Sequence, residues 1–360
     1  MSGIAGLLNI SDSERAYVMN VGQGLVFSAV SQMLAEYNEE VRLMTSVFIG
    51  GTTEKFAARH LLPGGGKLQR MGRQAPAAAV KRTGTYDVGY PLRQWGAEFA
   101  GDRVDLAYMT VAELDAHLQT IMIKDMNTLR WRMLTALFED TNFAFTDPLN
   151  GAITVRRLAN ADGSAYPPVL GSETEADDDH YSDAAYNVAS ITDDNNPALT
   201  LRNEIAEHFG GIGSTGKNFV YFHGADQTAY LANITGYVAT PDIGIIDRYP
   251  DEILAPWPNV PGRLHGRTNG VWLSEWDGWI PDGYGLAVLL GYPPLTMRVD
   301  PSDTGLGSGL QLVATDNNHP MMRASYEHRY GIGVSNRLSA ACMEINAGGG
   351  TYTPPTAYTE

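Results

Sequence analysis

From Thr110 to Asp147 the chain contains neither glycine nor proline, and apolar residues recur at 111, 114, 118, 122, 126, 129, 133 and 137. Steps of three and four draw a single stripe along a helix. The segment opens on Thr110-Val111-Ala112-Glu113, which fits the capping box: a Thr hydroxyl and a Glu three residues later satisfy each other's orphan backbone donors. The pattern predicts one helix from Thr110 to about Glu139, roughly 45 Å long at 1.5 Å per residue. Leu118, Met122, Leu129 and Met133 should lie buried along one face. Globular helices average about 11–12 residues. A compact catalytic domain rarely needs such a rod, whereas an elongated subunit does.

The segments before this helix differ from it. Residues 1–24 have no strong period and read as an extended arm. Leu25, Val26, Ala29, Val30, Met33, Leu34, Tyr37, Val41 and Met44 recur at near-helical spacing, predicting a helix over 25–49 that Gly50-Gly51 ends. Residues 62–108 open on Pro63-Gly64-Gly65-Gly66 and continue with strand-like alternation at Thr85–Tyr90 and Arg103–Tyr108. This is a glycine-hinged, two-stranded excursion with little core of its own. From Glu54 to Arg103 it holds nine Lys/Arg against four Asp/Glu, a local excess of five positive charges. An isolated hairpin is marginal in water, so it should lie on something else.

After the rod come a β-like run at Ala152–Leu158 and an acidic stretch, 173–194, with eight Asp/Glu and no Lys or Arg. Asn196-Pro197 should cap a helix that ends at Gly210-Gly211. Short elements follow: a strand at Phe219–Phe222, a helix at Asp226–Ile234 and a loop over 239–270. Strands are expected at Val271–Glu275, Leu286–Leu290, Leu295–Val299 and Leu310–Ala314, with a long β-run over Met321–Asn346. The order is α+β, without βαβα alternation.

Composition narrows the function. The 360 residues carry a formal net charge of −16. A chain that grips nucleic acid through its phosphates shows a basic face; affinity-driven DNA binding is not expected. Cys342 is the single cysteine, which excludes an internal disulfide and a Cys-based zinc site; in the run Ala340–Met343 it reads as a small buried hydrophobe. The start lacks a basic segment followed by a sustained apolar core, and no apolar stretch reaches the ~18–20 residues that cross a bilayer. A soluble chain in a reducing compartment is the expectation.

Motifs that might carry chemistry fail in detail. Gly211-Ile212-Gly213-Ser214-Thr215-Gly216-Lys217-Asn218 matches a phosphate-cradling loop through the lysine, but Asn218 stands where a Ser or Thr hydroxyl would bind magnesium. Helix then strand is also the reverse of the working order. Asp177-Asp178-Asp179-His180 lacks the alternating carboxylates, central Gly and distal Glu of a calcium loop and reads as a solvated acidic loop. The eight His are scattered, none paired at i+4; His208 and His223 read as ordinary surface or satisfied core residues. Trp272, Trp276 and Trp279 fit aromatic packing at a subunit contact better than a stacking platform for sugars or bases. No catalytic, metal or cofactor-binding residue is assigned, and no cofactor is implied.

Arm, basic excursion, long capped helix, α/β lobe and closing β-run, in that order, resemble the Hong Kong 97-type major capsid fold of tailed bacteriophages. The closing stretch Tyr330-Gly331-Ile332-Gly333-Val334-Ser335-Asn336-Arg337-Leu338-Ser339-Ala340-Ala341 is similar to that family's last strand, where a Gly, a Val-x-Asn-Arg and small apolar residues recur. Gly270–Leu273 with Ile280-Pro281-Asp282-Gly283-Tyr284 likewise resembles its axial-domain strand and P-x-G-Y turn. The resemblance implies an N-arm with helix over 1–55, an E-loop over 56–109 and a spine helix over 110–140. It also implies peripheral-domain (P) strands with an acidic loop over 141–190, an axial (A) domain over 191–320, and a closing P-domain strand and tail over 321–360.

The implied function is that of a virion structural protein and not an enzyme: a major capsid subunit assembling as hexamers and pentamers into an icosahedral shell in the bacterial cytoplasm. The shell encloses double-stranded DNA without sequence-specific binding and has no membrane association. Its partners are further copies of itself, a separate scaffolding protein (only about fifty residues precede the E-loop), a portal and decoration proteins. Candidate inter-subunit contacts are the basic Lys67, Arg70, Arg73, Lys81 and Arg82 against the acidic Asp177, Asp178 and Asp179. Lys67 and Lys81 are the E-loop lysines available to a crosslink, but no pattern shows that the bond forms. The alternatives are an encapsulin-type nanocompartment shell, against which the long excursion argues, and a nucleotide-binding enzyme using Lys217, which a binding titration would reveal.

Overall fold

A computed structural model describes residues 23–62, 68, 70–71, 84–102, 108–163, 165–166, 176–177, 180–214, 218–239, 260–316, 321–346 and 348–359. The chain divides into two compact units, each assembled from segments far apart in sequence. The first takes residues 1–45, 92–132 and 298–331; the second takes 46–91, 133–297 and 332–360.

In the first unit, helix α1 (Gln23–Thr45) and helix α2 (Val111–Phe138, here through Arg132) accompany three antiparallel strands. Strand β4 (Arg93–Asp102) pairs with β17 (Met321–Val334) residue for residue, from Asp102 opposite Met321 to Arg93 opposite Tyr330. Strand β16 (Gln311–Asp316) lies along the other side of β17, with a register shift between Leu312 and Ala314. Alternation along β4 sorts exposed Gln94, Glu98 and Ala100 from half-buried Trp95, Ala97 and Phe99, the period-2 signature of a sheet with one wet face. Helix α1 buries Val30, Leu34, Tyr37 and Val41, one stripe at i, i+4, i+7 and i+11. The Asn38 side chain accepts from Leu310 N at 2.8 Å and donates to Leu310 O at 3.0 Å, so an amide completes the pairing of a backbone that no strand reaches.

The capping box forms as the sequence predicts. Thr110 Oγ1 accepts from Glu113 N at 3.3 Å and Glu113 Oε2 accepts from Thr110 N at 2.8 Å. Helix α2 is one continuous element. Leu118, Leu129 and Met133 are buried and Met122 is half-buried; Val111, at the capped end, is 39% exposed. Toward the C-terminal end the stripe widens until every residue from Arg132 to Glu139 is buried.

The second unit holds a seven-stranded sheet in the order β11 (Val238–Ala239), β12 (Arg263–Thr268), β13 (Val271–Glu275), β10 (Phe219–His223), β14 (Tyr284–Leu289), β18 (Ala340–Ile345), β9 (Tyr181–Ala184). Strand β10 is buried at all five positions, as a strand covered on both faces must be. Helix α3 (Pro197–Ser214) lays Ala198, Leu201 and Ile205 on one face, against Phe219, Tyr221, Leu273, Ala287, Leu289 and Met343. Asn196 caps α3 as expected, its Oδ1 accepting from Leu199 N at 3.1 Å. Two-stranded pairs complete the unit: β2 (Ala57–Leu62) with β3 (Gly84–Gly89), β5 (Phe143–Asp147) with β6 (Gly151–Val155), and β7 (Ala165–Tyr166) with β8 (Ala176–Asp177). Strand β1 (Ile49–Thr53) runs beside β15 (Leu295–Arg298).

Several expectations change. Helix α1 stops at Thr45, whose hydroxyl bonds back to Val41 O at 2.8 Å, and Gly50-Gly51 sit inside β1 rather than ending a helix. Helix α3 continues through Gly210-Gly211 to Ser214. The two-stranded excursion closes at Gly89, and Arg93–Asp102 pairs instead with a strand more than 200 residues downstream; the strand expected at 103–107 lies outside the described residues. Part of the expected loop at 239–270 is strand β12. The β-run over 321–346 is broken by a 3-10 turn at Arg337–Ser339.

Candidate inter-subunit surface

The root of the excursion is the β2–β3 pair, in register from Ala57 opposite Gly89 to Leu62 opposite Gly84. Tyr86, Val88 and Tyr90 are buried together, with Ala58 against them. That is a small apolar seat for a long loop. What fixes it is polar. Tyr86 Oη donates to Val334 O at 2.9 Å, and the guanidinium groups of Arg156 and Arg337 lie over the Tyr86 ring at 5.6 and 5.3 Å. Such contacts strengthen when desolvated.

Arg337, 2% exposed, makes a fork onto Asp162 at 3.0 and 2.9 Å and donates to Arg157 O at 2.7 Å. Arg156 also pairs with Asp162 and donates to Asp87 O at 3.0 Å. Arg157, equally buried, pairs with Glu139 at 2.5 Å over the Phe143 ring. Arg337 and Arg157 are thus removed from water with Glu139 and most of Asp162, and Arg156 is half-buried beside them. Arg suits this place because its planar fork meets a carboxylate with two parallel bonds and stacks on aromatic faces.

The Val-x-Asn-Arg motif now has a physical content. Val334 is buried and its carbonyl receives Tyr86. Asn336 Oδ1 accepts from Leu338 N at 3.2 Å and so caps the 3-10 turn that aims Arg337 inward. Gly333 has to be glycine, because a Cβ there would meet the Tyr90 ring at 2.7 Å and Gly89 O at 2.8 Å.

Outward, the described part of the excursion is polar and apolar by turns. Arg59 and Asp87 form an exposed two-bond pair across the strands at 2.7 and 2.6 Å, which lowers the Asp87 pKa. Leu61, Leu68 and Met71 are 58, 97 and 64% exposed, and Arg70 is exposed as well. The backbone of Asp177 lies in β8. Lys67, Arg73, Lys81, Arg82, Asp178 and Asp179 lie outside the described residues, as does Lys217; its flanking elements are helix α3 and strand β10, in the helix-then-strand order read from sequence.

Two further readings meet the structure here. Trp272 and Trp276 are buried within this one chain, and Trp276 stacks on Phe48 at 5.7 Å and 17°; intrachain packing therefore replaces the expected subunit contact for these two. Cys342 is fully buried, which pushes its thiol up to about 12. His223 is fully buried and meets His265. Spacing could not reveal a pair 42 residues apart, but Asn269-Gly270 could have revealed the hairpin that carries His265. Asn269 (φ 48°) and Gly270 (φ 82°) make the two-residue turn that joins β12 to β13, the strongest short-range hairpin signal. Among the described residues no group of three His, Cys, Asp or Glu could hold a metal ion, and no helix is long and apolar enough to cross a membrane.

No protein-family model and no curated protein matches the chain in sequence. Solved structures do match in fold. A chain from Mycobacterium phage Patience is 18% identical and superposes with a TM-score of 0.66, covering 100% of this chain and 97% of its own. A chain from the capsid of cyanophage P-SCSP1u, 9% identical, covers 83% of this chain and 86% of its own at a TM-score of 0.46. One from the procapsid of satellite phage P4, 9% identical, covers 87% and 90% at 0.42. The first match carries the fold assignment: end to end, this chain shares the mixed helix-and-sheet fold of that Mycobacterium phage Patience chain.

Proposed function

We infer that the chain is a structural subunit of a phage head, a major capsid protein that assembles with copies of itself into a closed shell around DNA, and that it has no catalytic role. The observation that carries this reading is the fold shared over the full length of both chains with a phage protein. The excursion supports it: a polar root holds a loop that presents Leu61, Leu68, Met71 and Arg70 to solvent. On this reading 56–109 is the E-loop, 110–140 the spine helix, and 191–320 the axial domain. An acidic chain of net charge −16 encloses DNA without adhering to it.

The E-loop cations Lys67, Arg70, Arg73, Lys81 and Arg82 then face carboxylates of an adjacent subunit, with Asp177, Asp178 and Asp179 one candidate. Each exposed pair contributes little, but many repeat around a closed shell. The test is electron microscopy of the purified full chain with scaffolding protein supplied. Closed particles of hexamers and pentamers are expected; a species that stays monomeric at high concentration would overturn the reading. Changing Arg70, Arg73, Lys81 and Arg82 to Glu should leave the subunit folded but impair assembly. Normal assembly of that variant at low salt would remove the electrostatic contact and leave the shell reading standing.

A further inference from the structure

In the second unit a fully buried imidazole touches a half-buried one. His223, the last residue of β10, is fully buried, and its Nε2 lies 2.9 Å from Nε2 of His265, with the rings edge-to-face at 5.0 Å. His223 Nδ1 faces Gly224 O at 2.8 Å. A carbonyl only accepts, so Nδ1 carries hydrogen and a neutral His223 presents a bare Nε2. His265 must then be the donor. That contact holds one proton and only one.

His265 occupies a mechanically sensitive place. The pairing of β12 with β13 shifts register between Leu264 and Gly266, so His265 is the extra residue of a β-bulge, which is left without a ladder partner of its own. Tyr237 covers the bulge: its hydroxyl donates to His265 O at 2.9 Å and stands 3.1 Å from His265 Nδ1. Its ring lies so close to Gly266 that a Cβ there would meet it at 2.3 Å. We propose that the His223–His265 contact is an acid-released latch: neutral, it holds the bulge of β12 against β10, and protonation of both rings opens it and frees β12 from the sheet.

The surroundings support that direction. Burial lowers the His223 pKa to about 4 and lowers that of His265 as well. Both folded values lie below the ordinary imidazole value near 6.5, so the contact is fully formed above pH 6.5 and is lost as pH falls toward about 4. Charged and titratable groups approach from several packed elements. Glu275 on β13 stands opposite His223 in register and is held by Thr228 and Arg263 at 2.6 Å each. Arg263, on β12, opposes a second positive charge, while Glu275 favours one. Tyr221 stacks on His223 at 5.6 Å, and Asp226 and Asp282 lie beside Gly224. On β14 the residue opposite His223 is Gly285, which carries no charge. Once the rings part, Glu275, opposite His223 in register, is an anion that a released imidazolium can meet.

The latch belongs to the single chain and does not depend on the shell reading. Its test is amide hydrogen exchange on the full chain between pH 7.5 and 4, corrected for the intrinsic exchange rate. Opening that takes up one proton lowers protection by about tenfold per pH unit, and two protons by about a hundredfold. Protection of Arg263–Thr268 should fall more steeply than tenfold per unit below about pH 6.5, while β14 and β18 stay protected. His265→Gln keeps a donor toward His223 and removes one titrating ring, so its slope should drop to about tenfold. Flat protection of β12 in the wild type, or the same slope in the variant, would overturn the latch. If His265→Gln fails to fold, the wild-type imidazole titration by NMR decides: both rings should gain protons together as β12 opens, and a His265 that titrates while β12 stays protected refutes it.

Discussion

The central sheet and the root of the excursion belong to the same unit but are held by opposite means. Strands β10, β13, β14 and β18 sit among apolar side chains, with Leu201, Phe219, Leu273 and Leu289 all at or below 2% exposure. The root rests on three arginines, two carboxylates and one tyrosine ring. Apolar packing degrades by degrees, because each lost methylene removes its own share and leaves a cavity that partly relaxes. A buried ionic cluster does not: removing one partner leaves a desolvated charge with nothing to answer it. The sheet therefore tolerates graded change, while the root selects one arrangement and rejects the rest. That suits a loop whose direction matters more than its own core.

Arg337→Ala should break the comparison most sharply. It removes the two-bond fork from Asp162, leaving it with Arg156 and Asn142, and takes away one of the two guanidinium groups over Tyr86; we expect a loss of about 3–5 kcal/mol in denaturant unfolding. Arg337→Lys keeps the charge but not the fork, and should recover only part of that loss. Equal stability of wild type and Arg337→Ala would mean that the root is held by Tyr86, Val88 and Tyr90 instead. Next in size, Leu201→Ala in the sheet core should cost about 2–5 kcal/mol. Its effect should be independent of ionic strength, and a salt-dependent loss would deny the purely apolar character given to that core. Smallest, Asp87→Asn removes one side of the exposed Arg59–Asp87 pair. Its melting temperature at pH 7 should be indistinguishable from wild type, as for most exposed ion pairs. Because the folded Asp87 pKa is lowered, whatever the pair contributes is present above the unfolded carboxylate value and fades as pH falls through the folded one. A clear drop in melting temperature for Asp87→Asn would place this outer pair with the buried cluster rather than with the surface.

Local signals were legible wherever one segment carries its own instruction. The Thr110–Glu113 box and the stripe through Leu129 specify α2; Asn196-Pro197 starts α3; strand β13 falls on the residues the alternation named. Caps and periods act within a turn or two, so a linear reading finds them. Glycine was less reliable as punctuation. Gly50-Gly51 and Gly210-Gly211 both lie inside regular elements, because tertiary pairing overrides a weak local preference.

The sequence by itself determined the long capped helix, the α+β order and the buried character of Cys342. The tertiary structure alone decided which distant segments meet. Arg93–Asp102 finds Met321–Tyr330, His223 finds His265, and Arg337 finds Asp162. The physical reason is that a strand's pattern states which face is buried but not which strand lies beside it. A buried charge or imidazole, likewise, has no meaning until its partner is in place, since burial is unfavourable without one and stable with it.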